Sequence, residues 1–358
     1  MAPSVAEPAA RERGSTADVT GVVVLGCCAA WALITAAGRE SRPEGMLLAL
    51  LAVAAGYACG RIGGALLPVA APVAAALAGV ALAAGTPYDL PGPAVGPAPG
   101  HTGATAAQLA LAAGAACCAA WATRRPALRL SLRLMALAVA GVALVLGSVA
   151  GCVAALLVLV CSLAAGAARH RLPALAGAAV LVACAAGGSW ALAEGRLPDG
   201  LVTRAEVRLT EHRMLLWQDA VGLAEDHPVL GAGPDRFGDL STTVQQTANS
   251  DGKPHSAVLK QAAEQGVPGV LLLGAAYGWV LHSLWRSERS TGVALTAGAA
   301  LTVLALLSVA SNALSFVQVT AAAGLLAGLA AARPLGESSG VAAPATGSWP
   351  RVQGAFPP

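Results

Sequence analysis

Charge is what this chain of 358 residues has little of. Only 11% of its positions are Asp, Glu, Lys or Arg, about half the share found in a soluble domain. Hydrophobic residues make up 56%, and mean hydropathy is +0.67. This excludes an ordinary soluble domain. Lysine is nearly missing: Lys253 and Lys260 stand against a combined Lys+Arg count of 22. An Ala- and Gly-rich chain that uses Arg almost exclusively carries the compositional mark of a GC-rich genome. Cysteine is missing from the loops. Cys27, Cys28, Cys59, Cys117, Cys118, Cys152, Cys161 and Cys184 all fall in apolar runs, which excludes a loop zinc site or a disulfide framework and leaves them as small packing residues. No signal-peptide layout precedes the first apolar run, and no repeat of fixed period is present.

What is there is a series of apolar runs long enough to cross a hydrocarbon core of about 30 Å. They predict an all-α polytopic membrane protein of about ten transmembrane helices, near 19–37, 45–60, 62–84, 104–122, 133–148, 150–168, 173–193, 267–285, 292–312 and 314–332. The expected organisation is a cytoplasmic tail (1–18), seven spans (19–193), a long helical extracytoplasmic loop (194–266), three spans (267–332) and a disordered cytoplasmic tail (333–358). Arginines set the orientation. Arg11 and Arg13 precede the first span, Arg61 separates the second and third, and Arg124, Arg125, Arg129 and Arg133 lie between the fourth and fifth. Arg169, Arg171, Arg286, Arg289 and Arg333 complete the set. With both termini inside and ten crossings, every one of these clusters is cytoplasmic and the 194–266 segment lies outside the plasma membrane.

That segment is the polar island of the chain. A helix is expected over 203–225, with Thr203 and Glu206 forming a capping box and His227-Pro228 ending it. Arg204, Arg208 and His212 recur at four-residue spacing, beside a stripe of Arg213, Trp217, Ala220 and Ala224 that can pack on the membrane domain. Pro228 to Phe237 then places Gly231 and Gly233 between two prolines, a run of tight turns. A phosphate-loop reading of these glycines fails, because no GK[ST] ending follows and no strand precedes. Pro254-His255-Ser256 opens a further helix that Gly266-Val267-Pro268-Gly269 breaks. A first-turn position would favour a neutral His255 able to accept a proton. The acidic pairs Glu225-Asp226 and Asp235/Asp239 lack metal-ligand spacing.

In order, Arg213-x-x-x-Trp217, His227-Pro228-Val229-Leu230-Gly231-Ala232-Gly233-Pro234, Phe237, and His255 followed by Glu264-Gln265-Gly266-Val267-Pro268-Gly269 resemble the O-antigen ligase and polymerase family of membrane glycosyltransferases. The resemblance spans about sixty residues and implies a metal-independent glycosyltransferase with no cofactor. Its partners would be a polyprenyl-pyrophosphate-linked glycan donor, a hydroxyl-bearing glycan or lipid acceptor and the surrounding membrane lipids, with no nucleic acid. It implies His255 as general base and Arg213 as a phosphate ligand. Arginine neutralises a departing pyrophosphate bidentately, so a base is needed and an acid is not.

Two departures from the family pattern stand out. Ser256 follows the histidine where the family has Asn. Ser148-Val149-Ala150-Gly151 occupies the place of an upstream Ser-Arg-Gly motif, without its arginine. Either Arg208, Arg236 or Lys253 supplies the second cation, or the chain binds lipid-linked glycan as a non-catalytic scaffold. A transporter is disfavoured, since the spans carry almost no ionisable residues at depth. Blander roles stand beside the sharp ones: Arg213 pairing with Glu211 or Asp219, Arg236 pairing with Asp235, Arg204 and Arg208 as a solvated face, and Gly231 and Gly233 serving the turn alone.

Overall fold

A computed structural model of the protein describes residues 6–85, 101–196, 211–246 and 251–333, which form helices joined by turns and loops with no strand among them. The apolar helices are α1 (Ala6–Ala36), α2 (Glu44–Leu66), α3 (Ala70–Ala84), α4 (His101–Ala122), α5 (Pro126–Val145), α6 (Val149–Ala164) and α7 (Arg171–Ala193). The polar α8 (Glu211–Asp226) and two single-turn helices, α9 (Phe237–Leu240) and α10 (Thr242–Gln245), come next. The apolar α11 (Ala257–Arg286), α12 (Thr291–Val309) and α13 (Val317–Ala331) complete the chain. Seven of these helices are long and apolar enough to cross a membrane. The other three expected spans, α3, α6 and α13, are apolar helices of 15, 16 and 15 residues, short of the roughly 20 residues a full crossing takes.

Several boundaries differ from expectation. Helix α1 begins at Ala6 rather than after residue 18. Helix α2 runs through Arg61 to Leu66, and the break comes at 67–69, around Pro68. Arg61 is therefore a helical residue paired with Asp18 at 2.5 Å, not a loop cation. Helix α5 starts at Pro126, so Arg129 and Arg133 lie on it and face the ring of Trp121 at about 6 Å. The Thr203–Glu206 cap, Arg204, Arg208 and the tail beyond Arg333 lie outside the described residues.

The core sits around α4, which is 94% buried, with α12 at 78%. Both are built mostly from Ala, Gly, Thr and Leu, so few long side chains hold their neighbours off. A Cβ on Gly114 would lie 2.6 Å from Cβ of Ala300. Cys28, Cys117, Cys118 and Cys152 are buried, and the Cys118 thiol donates to Val293 O at 3.7 Å, as expected of packing thiols.

The closest contact pairs α2 with α13. A Cβ on Gly56 or Gly60 would fall 2.3 Å from Ala321 O or 2.2 Å from Leu325 O. One on Gly324 or Gly328 would fall 2.3 Å from Val53 O or 2.2 Å from Tyr57 O. Glycines at four-residue spacing on both helices let the backbones touch, and van der Waals and Cα–H···O contacts then replace a hydrophobic drive that lipid does not supply.

Register fixes direction. Helix α2 runs parallel to α13, as the residue pairs above show. Helix α1 runs antiparallel to α11: Trp279 Nε1 donates to Ala17 O at 2.9 Å and Trp31 Nε1 to Gln265 O at 3.1 Å. Helix α4 runs antiparallel to α12, with Gly103 beside Ser311 and Gly114 beside Ala300. It runs parallel to α6, with Gly151 beside Ala106 and Trp121 Nε1 donating to Ser162 Oγ at 3.0 Å. Each pair fits strict reversal from one apolar helix to the next. Arg61, Arg129, Arg133, Arg171, Arg286, Arg289 and Arg333 thereby collect at one end of the bundle. The 38–43 turn, Ser148, α8 to α10 and the start of α11 collect at the other. At the basic end arginines close helix C-termini: Arg289 donates to Gly64 O and to Ala332 O, and Arg171 donates to Ser287 O at 2.6 Å.

Replacing Gly60 by Val should cost about 1–3 kcal/mol through overpacking against the α13 backbone. Gly177→Val, where a Cβ meets nothing within 4 Å, should leave melting in detergent near wild type. Equal melting of the two variants would refute the contact.

Candidate functional site

The site end is organised by a break in α11. Gly266 there has φ 66° and ψ −167°, a conformation open to glycine alone, and Pro268 lies two residues on. Pro268 carries no N–H for Glu264 O, and Val267 turns its N–H away to Pro228 O at 2.8 Å. The freed carbonyls are taken by the loop that follows α8. Ala232 N donates to Ala263 O at 2.8 Å and Gly233 N to Glu264 O at 3.0 Å. From the far side, Trp31 of α1 caps Gln265 O. The two glycine- and proline-rich motifs are thus halves of one hydrogen-bonded joint. Their amides are spent on it and do not form a phosphate-binding nest. Gly231 does more than turn the chain: at φ 63° its Cα lies so close that a Cβ would meet Glu264 C at 2.2 Å.

Helix α8 sits on this joint. Its Leu216, Trp217, Ala220 and Val221 pack with Leu192 and Ala193 of α7, Phe237 of α9, and Leu259 and Ala263 of α11. The expected stripe of Trp217, Ala220 and Ala224 is the buried face. Trp217 Nε1 has no hydrogen-bond partner among the described residues, and this tryptophan acts there through packing. Asp219 does not pair with Arg213. It accepts from Ser241 Oγ at 2.5 Å and Thr243 N at 3.0 Å, fastening α10 to α8.

His255 lies ahead of α11 rather than in its first turn. Ser256 is the N-cap and accepts from Leu259 N at 3.4 Å. His255 adopts φ 51°, a left-handed conformation costly for a side chain with a Cβ. That backbone aims the imidazole at two partners the sequence reading missed. Nε2 is 3.2 Å from Asp251 Oδ1, and Nδ1 is 3.3 Å from Asn312 Nδ2. The same Asn312 amide donates to Asp251 Oδ2 at 2.9 Å. An amide nitrogen only donates, so Nδ1 is the accepting nitrogen and Nε2–H points to the carboxylate. Burial works to raise the Asp251 carboxyl, but the hydrogen bond and charge of His255, with the Lys253 amide and charge, hold it below the usual carboxylate value.

Arg213 reaches the end of α12 that leads to Asn312. Its Nη1 is 3.4 Å from Ala310 O, at the C-terminal end of α12, two residues from Asn312. Burial lowers its pKa, yet guanidinium stays charged. Arg236 and Arg39, the latter also missed, flank Gly233. A Cβ there would touch Arg236 Cδ at 3.4 Å and Arg39 Cδ at 3.5 Å. Arg39 Nη1 donates to Gly231 O at 2.8 Å, while Arg236 Nε is buried without a partner among the described residues. Arg39, Arg213 and Arg236 form no ion pair with a described carboxylate; Arg236 does not bond Asp235. The one buried carboxylate beside the joint, Glu264, is already engaged by Lys260 at 3.8 Å and the Asp235 amide, with Lys253 nearby. Arg39, Arg213 and Arg236 therefore stand at this end as cations not ion-paired to any described carboxylate, together with one oriented imidazole. Val149, in place of the arginine the family pattern calls for, is 68% exposed at the start of α6. Arg208 lies outside the described residues.

Nothing in the sequence pairs Asp251 or Asn312 with His255. Asp251 stands four residues away, but in a loop, where that spacing carries no facing rule. Asn312 is brought in by the tertiary packing of α12. Compared with protein families, residues 134–274 match a family model described as O-antigen ligase. No curated protein matches the chain.

Gly231→Ala and Gly266→Ala should each break the joint, since the new methyl meets backbone within about 2.5 Å. Both should lower the yield of folded protein, whereas Gly222→Ala, with open space around it, should not. Fluorescence-detected size exclusion reads the difference. Asp251 and Asp219 both titrate below the usual carboxylate value in the folded chain. Their stabilisation is therefore fully present above about pH 4 and lost as pH falls through the folded value. Asp219→Asn should flatten that acid limb in melting curves. An unchanged limb would remove Asp219 as a contributor.

Proposed function

From the premise that residues 134–274 carry an O-antigen ligase-family domain in a multi-pass membrane protein, we propose that the protein is a plasma-membrane glycosyltransferase of that type. It transfers or polymerises a polyprenyl-pyrophosphate-linked glycan. The observation that carries this reading is the meeting of His255, Asp251 and Asn312 beside Arg213, at the end of the bundle opposite the arginine-rich one. By the positive-inside rule the arginine-rich end is cytoplasmic and both termini are inside, so the site faces outward, where lipid-linked rather than nucleotide-linked sugars are found.

In the proposed step an acceptor hydroxyl takes the place of the Asn312 amide at His255 Nδ1. The imidazole accepts the hydroxyl proton as the oxygen attacks the anomeric carbon, and the C–O bond to pyrophosphate breaks with its electron pair leaving on phosphate. Asp251 keeps Nε2 protonated and stabilises the imidazolium. Arg213, with Arg236 and Lys253 in place of the missing arginine at Val149, neutralises the departing pyrophosphate. The exposed Val149 favours one rival, a non-catalytic binder of lipid-linked glycan.

Transfer from a polyprenyl-pyrophosphate glycan in membranes tests the roles. His255→Ala should lower transfer by about 10²-fold or more, and Arg213→Ala should weaken donor use strongly. Asp251→Asn should keep donor binding but reduce turnover and move the pH–rate profile, because it removes the group that holds the tautomer. Full transfer in His255→Ala, or donor binding without turnover in wild type, would refute the catalytic reading.

A further inference from the structure

The basic end holds a cleft, open to solvent, where α1, α2, α11 and α13 meet. Tyr57, Arg61, Arg286, Ser287, Glu288 and Arg333 line it. Three guanidinium groups thus face one lining carboxylate. Two ion pairs flank it. Arg61 holds Asp18 at 2.5 Å, a carboxylate that also accepts from Tyr57 Oη at 3.2 Å, whereas Arg333–Glu288 spans 3.5 Å with side chains 34% and 43% exposed. A pair as wet as Arg333–Glu288 costs little to exchange. Arg286 lines the same cleft, and its Nε is buried with no hydrogen-bond partner among the described residues.

We propose that this cleft binds the phosphodiester headgroup of an anionic membrane lipid, with Arg286 as its central ligand and Arg61 and Arg333 on either side. A phosphodiester supplies the acceptor oxygens that a guanidinium fork lacks here. A lipid is favoured over free phosphate by what lies beside the cleft. Val19 and Val22 on α1 and Ile62 and Leu66 on α2 are each more than half exposed, an apolar face against which acyl chains lie. Trp285, next to Arg286 and 41% exposed, marks the level of the headgroups. Basic pockets between helix ends are where anionic headgroups dock. The headgroup would bridge four helices at the end opposite His255.

Native mass spectrometry of the full chain, with phosphatidylglycerol, phosphatidylcholine or inorganic phosphate added, tests this. Wild type should retain phosphatidylglycerol about fivefold better than phosphatidylcholine. Arg286→Gln and Arg333→Gln should each erase most of that preference. Arg196→Gln, an exposed arginine at the other end, should keep it. Melting in lipid-free detergent separates lost binding from lost folding. Equal retention of the two lipids by wild type, an intact preference in both variants, or displacement of phosphatidylglycerol by inorganic phosphate would each overturn the proposal. None of these outcomes depends on glycan transfer.

Discussion

The hydrogen-bonded joint at Gly266 is the constraint on which the site end depends. A helix that carries proline two residues past a left-handed glycine leaves carbonyls with no N–H of their own, and beside lipid an unpaired carbonyl is costly. The loop from Pro228 to Gly233 supplies those N–H groups, and the Trp31 indole supplies another. Because the loop is held there, α8 is held against α7 and α11, and Trp217 is buried. With α8 placed, Arg213 reaches the end of α12. Arg213 is thus positioned through backbone pairing and helix packing, while His255 and Asp251 also hold one another.

His255 illustrates how that scaffold is used. Its left-handed backbone persists because Pro254 and Ser256 on either side are buried and the Ser256 cap begins α11 at a fixed residue. The imidazole is then shared between a carboxylate and an amide that belong to different segments. Such a pair sets which nitrogen carries the proton, and so the direction in which a proton can move. Arg39, Arg213 and Arg236 at the same end are ion-paired to no described carboxylate.

Much of the fold was legible in sequence. The apolar runs foretold the helical class, and the alternation of arginines foretold which ends would gather. The misplaced break at Arg61 came from reading a basic residue as a loop marker; its charge is matched by Asp18 on the neighbouring helix. The glycines at 56, 60, 324 and 328 were visible only as small residues. Nothing along the chain said that α2 and α13, so far apart in sequence, would be partners. Arg39, Asp251 and Asn312 escaped for the same reason, since each acts on a residue of another segment.

By itself the sequence determined the helical membrane class, the polar stretch between apolar runs and a motif order that resembles O-antigen ligases, because hydropathy, turn residues and spacing are local quantities. The tertiary structure decided that the two glycine–proline motifs form one joint, which nitrogen of His255 accepts a hydrogen bond, and which segments bring Asp251 and Asn312 to it. Those depend on hydrogen bonds and packing between segments that only the folded bundle brings together.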